Sequence, residues 1–195
     1  MKQQLNRRHS LMLLGGFLIL PGTAFAQTQA DGSIRVDHNS THKRNVSGFR
    51  THTWQDHFQN TNKGAILCDI SSRALHFWNA QGDLEHVFPC SVPRSQEFER
   101  RGHTHITLKR ASPTWVPTPS MRERDPSLPQ SVPPGPQNPL GTRALNLSWT
   151  HYRIHGIDDP NKIGRPASSG CFGLFNHHVE ILFEKVEIGT QVRVI

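Results

Sequence analysis

Proline is concentrated in one segment of this chain, and that segment limits the folds available to it. Nine of the fourteen prolines lie between residues 113 and 139. Proline has no amide hydrogen and a fixed φ angle, so a stretch this rich in proline excludes a helix or a central strand. The stretch also contains Trp115, Val116 and Met121. We therefore predict a long structured loop packed on a domain, of the kind that often covers a site, rather than a disordered linker.

Short apolar runs separated by turn residues lie on both sides of this loop. Before it, β-prone runs at 65–70, 74–78 and 84–92 are divided by short polar turns. Runs of this length between turn residues predict a strand meander. Further strands are predicted at 103–108, 144–147, 152–154 and 191–195.

One later segment has helical periodicity instead. Its apolar residues recur at i, i+3, i+4 and i+7 and form a single stripe. The stripe consists of Val179, Leu182, Phe183 and Val186. Asn176 precedes it as the predicted N-cap, and Gly189 follows as a stop signal. The whole pattern predicts a mainly β domain with one packed amphipathic helix near the C-terminus.

Residues 1–26 have the pattern of a secretory signal peptide. A basic start that includes Arg7 and Arg8 precedes ten apolar residues at 11–20, and small residues at 24 and 26 mark a cleavage site. A short N-terminal anchor is the alternative, and the two arginines also resemble a twin-arginine signal. Ten apolar residues are too few to cross a bilayer, so no stable membrane span is predicted. We expect an exported protein of the periplasm or cell envelope.

The rest of the chain is long enough for one domain with a substantial core. Residues 27–62 are polar and are predicted to form a partly ordered leader. Removing the signal peptide takes away three positive charges and lowers the formal net charge from +7 to +4. This mild excess suits a partner with carboxylates or phosphates. Nucleic acid is not an expected partner, because no arginine-rich aromatic run and no zinc-finger pattern occurs.

The chain contains three cysteines, Cys68, Cys90 and Cys171. An exported protein meets an oxidising compartment, and three thiols cannot all pair within one chain. Cys68 and Cys90 lie in apolar runs, where a disulfide and two buried free thiols are both possible. Cys171 lies in a Ser-Ser-Gly-Cys turn and is the odd cysteine, which makes it a candidate reactive group.

A histidine precedes this cysteine by sixteen residues, at His155. A thiolate is the attacking form of cysteine, and an imidazole can accept the thiol proton. Gly170 permits a tight turn and a close backbone approach to a ligand. The amides around Gly170 and Cys171 would then point at a developing oxyanion. Together these features indicate acyl-transfer chemistry.

These motifs together resemble the L,D-transpeptidase catalytic domain family. The resemblance is carried by YRIHG at 152–156, IGRPASSGC at 163–171 and the helix and strand at 176–195. The proline-rich segment and the opening strands are similar to that family as well, so that 63–195 is predicted to be the catalytic domain. The resemblance implies a β-sandwich with a helix packed against it, and no metal or organic cofactor.

The resemblance also implies a reaction. Such enzymes act on peptidoglycan stem tetrapeptides: the cysteine attacks the carbonyl of the third residue, D-alanine leaves, and a thioester remains. In a transpeptidase, an amine of a second stem then attacks the thioester. In some members the acceptor is a lysine of an outer-membrane protein, and in a carboxypeptidase it is water. Cys171 matches the nucleophile, His155 the base, and Gly170 with Cys171 the oxyanion amides. Ser168 and Ser169 match the loop before the nucleophile.

One position departs from the family pattern. Members usually carry Arg or Asn two residues after the nucleophile, and this chain has Gly173 there. The departure leaves open a weakened enzyme, an altered donor, or a non-catalytic peptidoglycan-binding module on the same fold. Three arginines are candidates to replace the missing group: Arg122, Arg124 and Arg165.

Several other residues are weighed as site candidates. Gly156, Tyr152 and Trp115 are assigned to substrate binding, although packing is the alternative for Tyr152 and Trp115. The pair His103 and His105 would share a strand face but has no suitably spaced third ligand, so no metal site is predicted. The adjacent histidines at 177–178 are predicted to be exposed at the start of the helix.

Overall fold

The computed structural model describes residues 50–195. The predicted signal peptide and residues 27–49 of the predicted leader lie outside the described residues. Residues 50–62 pack against the first strands: Phe58 is buried with Leu67 and Trp78, and a short 3-10 turn spans Trp54–Asp56. Within residues 50–195, no helix is long and apolar enough to cross a membrane.

Strands dominate the described part of the chain. In order they are β1 Ala65–Asp69, β2 Ala74–Trp78, β3 Leu84–Pro89, β4 Val92–Pro93, β5 Gly102–Ala111, β6 Arg143–Leu147, β7 Arg153–His155, β8 Pro166–Ser168, β9 Phe172–Gly173 and β10 Gln191–Val194. The helices are α1 Pro119–Arg124 and α2 Asn176–Lys185, and further 3-10 turns lie at Gln96–Phe98 and Pro160–Lys162. The predicted mainly β architecture with one amphipathic helix near the C-terminus is confirmed.

Eight of these strands form one curled sheet in the order β3-β2-β1-β10-β5-β6-β7-β9. β1 pairs in parallel with β10, and β7 in parallel with β9, while the other neighbours are antiparallel. β4 and β8 form a small separate parallel pair. The sheet therefore joins the first and last strands at its centre and leaves β7 and β9 at one end.

The helix α2 closes the core over this sheet. Val179 and Leu182 are fully buried, as the apolar stripe predicts, and Phe183 packs at the border. The predicted N-cap is wrong: Phe175 occupies that position without a side-chain cap, and Asn176 is the first helical residue. The reason is that the Asn176 amide is engaged by backbone groups of two other segments.

The proline-rich segment is a structured loop, but it is not free of helix. Residues Pro119–Arg124 form the short helix α1, contrary to the expectation that proline excludes one. Thr118 caps it by accepting a hydrogen bond from the Met121 amide at 3.3 Å. Pro119 is at the first turn, where its missing amide hydrogen removes no helical bond. The predicted run at 84–92 is likewise split into β3 and β4.

Candidate active site

A cleft of about 330 Å³ opens beside the β6–β7 turn, where the loop before β9 meets the proline-rich segment. Its floor includes His155 and Cys171, and Trp115, Val116 and Met121 of the proline-rich segment contribute to its walls. The loop predicted to cover a site thus lines a cleft that contains both predicted reactive side chains.

The parallel pairing of β7 with β9 brings these two side chains to one face of the sheet. Ile154 is paired with Phe172, and His155 with Gly173. Side chains alternate between faces along a strand, so the residue two before Gly173 shares its face. Cys171 and His155 therefore point to the same side of the sheet, offset by two residues in the register.

His155 is buried, with 8% of its surface exposed. Its Nδ1 is hydrogen-bonded to the carbonyl oxygen of Gly156. A carbonyl only accepts, so Nδ1 carries the hydrogen and Nε2 is left unprotonated as a proton acceptor. Burial lowers the pKa of His155 to about 4, and the hydrogen bond to the Gly156 carbonyl offsets only part of this decrease. At neutral pH the imidazole is therefore uncharged.

Cys171 is partly exposed, and its Sγ donates to the carbonyl oxygen of His151 at 3.4 Å. Desolvation raises the pKa of this thiol, while the positive charge of Arg153 opposes the rise. The resting pair is consequently a neutral thiol and a neutral imidazole rather than an ion pair. Charge separation would begin only when the thiol proton is transferred.

The loop before the nucleophile is braced by Ser168. Its Oγ donates to the Cys171 carbonyl at 2.5 Å and accepts from the Gly170 amide at 3.3 Å. Gly170 has a φ of +119°, and a Cβ there would lie 2.9 Å from the ring of Tyr152. Only glycine fits this turn without strain. Ser169 lines the cleft next to Cys171.

The segment after His155 is held by Asn176, the first residue of α2. Asn176 Oδ1 accepts from the amides of Thr142 and Ile157, each at 3.2 Å, and its Nδ2 donates to the Ile157 carbonyl at 3.1 Å. A Cβ on Gly156 would overlap Asn176 Oδ1. Gly156 therefore packs on Asn176 and is not among the residues that line the cleft, and its role in substrate binding stays a prediction.

The two aromatic candidates do lie at the cleft. Tyr152 donates its hydroxyl to the Phe98 carbonyl at 3.1 Å and packs edge-on against Trp149, so it both packs and lines the cleft. Trp115 forms backbone hydrogen bonds with Val132 and exposes part of its ring to the cleft.

Gly173 has a packing reason in this chain. A Cβ there would lie 2.5 Å from Ser91 Oγ and 3.0 Å from Ile157 Cδ1. Ser91 is buried and accepts from the Gly173 amide at 3.1 Å. The space next to the backbone of Gly173 is thus occupied by Ser91.

The arginines predicted as replacements are dispersed. Arg124 lines the cleft and stacks on Phe98, with its guanidinium carbon 5.1 Å from the ring centre. Arg122 donates to the Gln130 carbonyl, and Arg165 is exposed.

We expect Gly173 and Ser91 to be energetically coupled. Gly173→Ala should lower the free energy of unfolding by about 1–3 kcal/mol, because the added methyl overpacks against Ser91 Oγ. Ser91→Ala should lower it by about 1 kcal/mol through the lost hydrogen bond. Urea denaturation of the double variant should show less than the summed loss, since the shortened side chain makes room. Strict additivity would contradict this packing account.

All three cysteines are free thiols. Cys68 and Cys90 are fully buried in the core, and desolvation raises the pKa of each far above its usual range. A buried protonated thiol is inert, whereas Cys171 faces the cleft.

We therefore expect one thiol per chain to react with Ellman's reagent in the native protein and three under non-reducing denaturation. The native count should fall to zero in Cys171→Ala. A denatured count of one would show instead that Cys68 and Cys90 are bridged.

The remaining histidine candidates do not form a metal site. Within residues 50–195, no group of three or more His, Cys, Asp or Glu side chains is placed to hold a metal ion. His103 contacts Arg193 instead. Of the two helix histidines, His177 is exposed as predicted, but His178 is half-buried, with its ring 4.8 Å from that of Phe88.

A thiol and an imidazole on one face of a mainly β sheet, in an open cleft, fit the class of cysteine-dependent acyl-transfer enzymes. A profile of the L,D-transpeptidase catalytic domain (YkuD) matches residues 63–194. This chain belongs to the L,D-transpeptidase catalytic domain family, which confirms the predicted resemblance and enzyme class.

Relatives and solved structures agree with this assignment. The chain is 44% identical over 200 residues to a Fuscovulum blasticum protein whose name assigns it to the L,D-transpeptidases, with 100% of both chains covered. It is 34% identical over 140 residues to the similarly named ErfK/SrfK protein of Escherichia coli K12, covering 69% of this chain and 45% of that protein.

Two crystal structures show the same fold. An Enterococcus faecium L,D-transpeptidase has a TM-score of 0.55 at 18% identity, covering 68% of this chain and 50% of that one. Mycobacterium tuberculosis L,D-transpeptidase 3, in complex with a faropenem-derived adduct, has a TM-score of 0.53 at 18% identity, covering 68% and 60%. These similarities concern the fold, and they confirm the predicted fold class.

Proposed function

We propose that this protein transfers acyl groups of peptidoglycan stem tetrapeptides through a thioester on Cys171. The single observation that carries the proposal is the placement of Cys171 and His155 on one face of paired strands at the floor of the cleft. Membership of the L,D-transpeptidase family supports peptidoglycan as the substrate.

In the first half-reaction, Nε2 of His155 takes the Cys171 thiol proton while Sγ attacks the carbonyl carbon of the third stem residue. The tetrahedral intermediate collapses to a thioester, and the protonated imidazole returns the proton to the departing D-alanine amine. In the second half-reaction an acceptor amine attacks the thioester, its proton passes through His155, and the thiol is regenerated.

The Gly156 carbonyl fixes the tautomer that this exchange requires, because it keeps the hydrogen on Nδ1. The loop before Cys171 supports the oxyanion role predicted for the amides of Gly170 and Cys171. The Gly170 amide is bonded to Ser168 Oγ at rest, so an oxyanion would take the place of that hydroxyl as its acceptor.

The walls of the cleft suit such a substrate. Arg124 and Arg153 contribute two positive charges to it, while Asp158 is paired with Lys162 at 3.1 Å. Stem peptides carry several carboxylates, and arginine binds carboxylates with paired hydrogen bonds. Trp115 and Val116 offer apolar surface for the aliphatic parts of the peptide.

Export to the periplasm or cell envelope belongs to the same proposal. A signal peptide at 1–26 would deliver the enzyme to its substrate, and an amine on a second stem or on an envelope protein would act as the acceptor. Cys171 is partly exposed in the cleft, so an acceptor amine can reach the thioester from solvent.

The test is incubation of the purified protein with disaccharide-tetrapeptide muropeptides, followed by mass spectrometry, beside Cys171→Ala. Cross-linked dimers from the wild type alone would support transpeptidation, and tripeptide products would indicate water as the acceptor. A faropenem or carbapenem incubation serves as a second readout, with one stoichiometric mass gain expected and none in Cys171→Ala. Absence of both products and adduct would overturn the catalytic proposal in favour of a binding module.

A further inference from the structure

We propose that the guanidinium of Arg153 is a catalytic residue that stabilises the thiolate of Cys171, which extends the proposed function and rests on it. β7 and β9 are paired in parallel. Ile154 is paired with Phe172, and continuing this register by one residue places Arg153 opposite Cys171, which directly precedes β9. Residues opposite one another on neighbouring strands lie about 4.8 Å apart and project to the same face.

The surroundings of Arg153 leave its charge available to the sulfur. Arg153 is half-buried and lines the same cleft as Cys171. None of the ion pairs formed among residues 50–195 involves Arg153. The charge of Arg153 lowers the pKa of the Cys171 thiol and so favours its ionised form.

The other neighbouring residues on this face of the sheet place no positive charge near the Cys171 sulfur at rest. Gly173, the next residue on the same face, has no side chain, and Ser91 occupies the adjacent space. His155 is uncharged at rest because burial lowers its pKa to about 4, so it provides positive charge only after it has taken the proton. The fixed charge beside the sulfur is therefore that of Arg153.

The chemical consequence concerns the thiol before any substrate bond forms. Desolvation raises the pKa of Cys171 and disfavours the attacking form, and Arg153 acts in the opposite direction. A permanent cation keeps this compensation in place at every pH at which the enzyme works, since arginine is not deprotonated. The thiol proton still goes to Nε2 of His155, and the guanidinium forms and breaks no covalent bond.

The test measures the thiol directly. The rate of Cys171 alkylation by iodoacetamide is followed by mass spectrometry from pH 5 to pH 10, with Cys171→Ala as the background. In Arg153→Met the midpoint of the pH–rate curve should rise by about one unit, with an alkylation rate at pH 7 about tenfold lower. Arg153→Lys should restore part of the shift, because it keeps the charge but not the fork of donors.

Arg110→Met is the matched control. Arg110 is exposed on β5 outside the cleft lining, and its loss changes the net charge equally. The other titratable and charged groups of the cleft remain in every variant: Arg124, His151, Tyr152, His155, Asp158 and Lys162. Thermal melts verify that each variant is folded. A midpoint in folded Arg153→Met equal to that of Arg110→Met would overturn the proposal.

Alkylation requires no peptidoglycan, so this result is separate from the fate of the proposed function. An Arg153-dependent midpoint in a protein that is inert toward muropeptides would leave the thiolate assignment standing and reject the substrate. Muropeptide turnover with an unmoved midpoint would do the reverse.

Discussion

Replacing His155 with glutamine is expected to slow acylation of Cys171 by a β-lactam about 10²- to 10⁴-fold, the contribution typical of a positioned general base. The structure gives the reason: both groups are uncharged at rest, so the sulfur becomes a thiolate only as a base removes its proton. The rate would be measured as faropenem adduct formation, by quenched-flow mixing followed by mass spectrometry.

The pH dependence of the same reaction has a defined direction. The pKa of His155 is lowered from 6.5 to about 4, so the imidazole remains a free base throughout the neutral and mildly acidic range. As the pH falls through about 4, the imidazole becomes protonated and can no longer accept the thiol proton. The acidic limb of the acylation profile should therefore lie near pH 4 rather than near 6.5.

The matched control for this prediction is His177→Gln, an exposed histidine on α2 that does not line the cleft. It should leave the rate and the profile unchanged. An acidic limb near 6.5 in the wild type, or an unaltered rate in a folded His155→Gln protein, would show that another group accepts the proton.

Replacing Asn176 with alanine is expected to lower the free energy of unfolding by about 3–5 kcal/mol, which is a large effect for one polar side chain. The amide makes three hydrogen bonds to the backbone of Thr142 and Ile157, and their loss leaves partly buried donors and an acceptor without partners. Urea denaturation measures the change.

Two comparisons make this prediction specific. Asn176→Asp keeps the acceptor for the two amides but loses the donor to the Ile157 carbonyl. It should therefore lower the free energy of unfolding by less than Asn176→Ala does. Glu184→Ala, an exposed change on the same helix, should stay within about 0.5 kcal/mol of the wild type. If Asn176→Ala lowered the free energy of unfolding as little as Glu184→Ala, the three hydrogen bonds of the Asn176 amide would contribute nothing to stability.

Helices and strands that depend on the pattern of neighbouring residues could be predicted from the sequence. The apolar stripe of α2 buries Val179 and Leu182 as expected, and the short β-prone runs become strands. The helix α1 also had a local signal that outweighed the proline content, because a capping Thr118 precedes Pro119 at the first turn. The prolines after that turn do not disturb the helix, since they lie beyond its end.

Features that depend on distant pairing could not be predicted in the same way. The polar type of Asn176 suggested a cap, whereas its partners, Thr142 and Ile157, lie on segments that only the folded sheet brings near it. The contact of Ser91 with Gly173 and the position of Arg153 opposite Cys171 depend on strand register. A glycine or an arginine in an apolar run gives no indication of its cross-strand neighbour.

The central position of β10 has a consequence for the chemistry of the thiols during folding. β10 joins β1 to β5, and its parallel partner β1 lies more than a hundred residues away along the chain. Contacts between such distant segments form slowly. Until they form, Cys68 and Cys90 are as open to oxidants as Cys171, and burial protects them only afterwards. Mispaired disulfides that involve Cys68 or Cys90 can thus form only in the interval before the sheet closes.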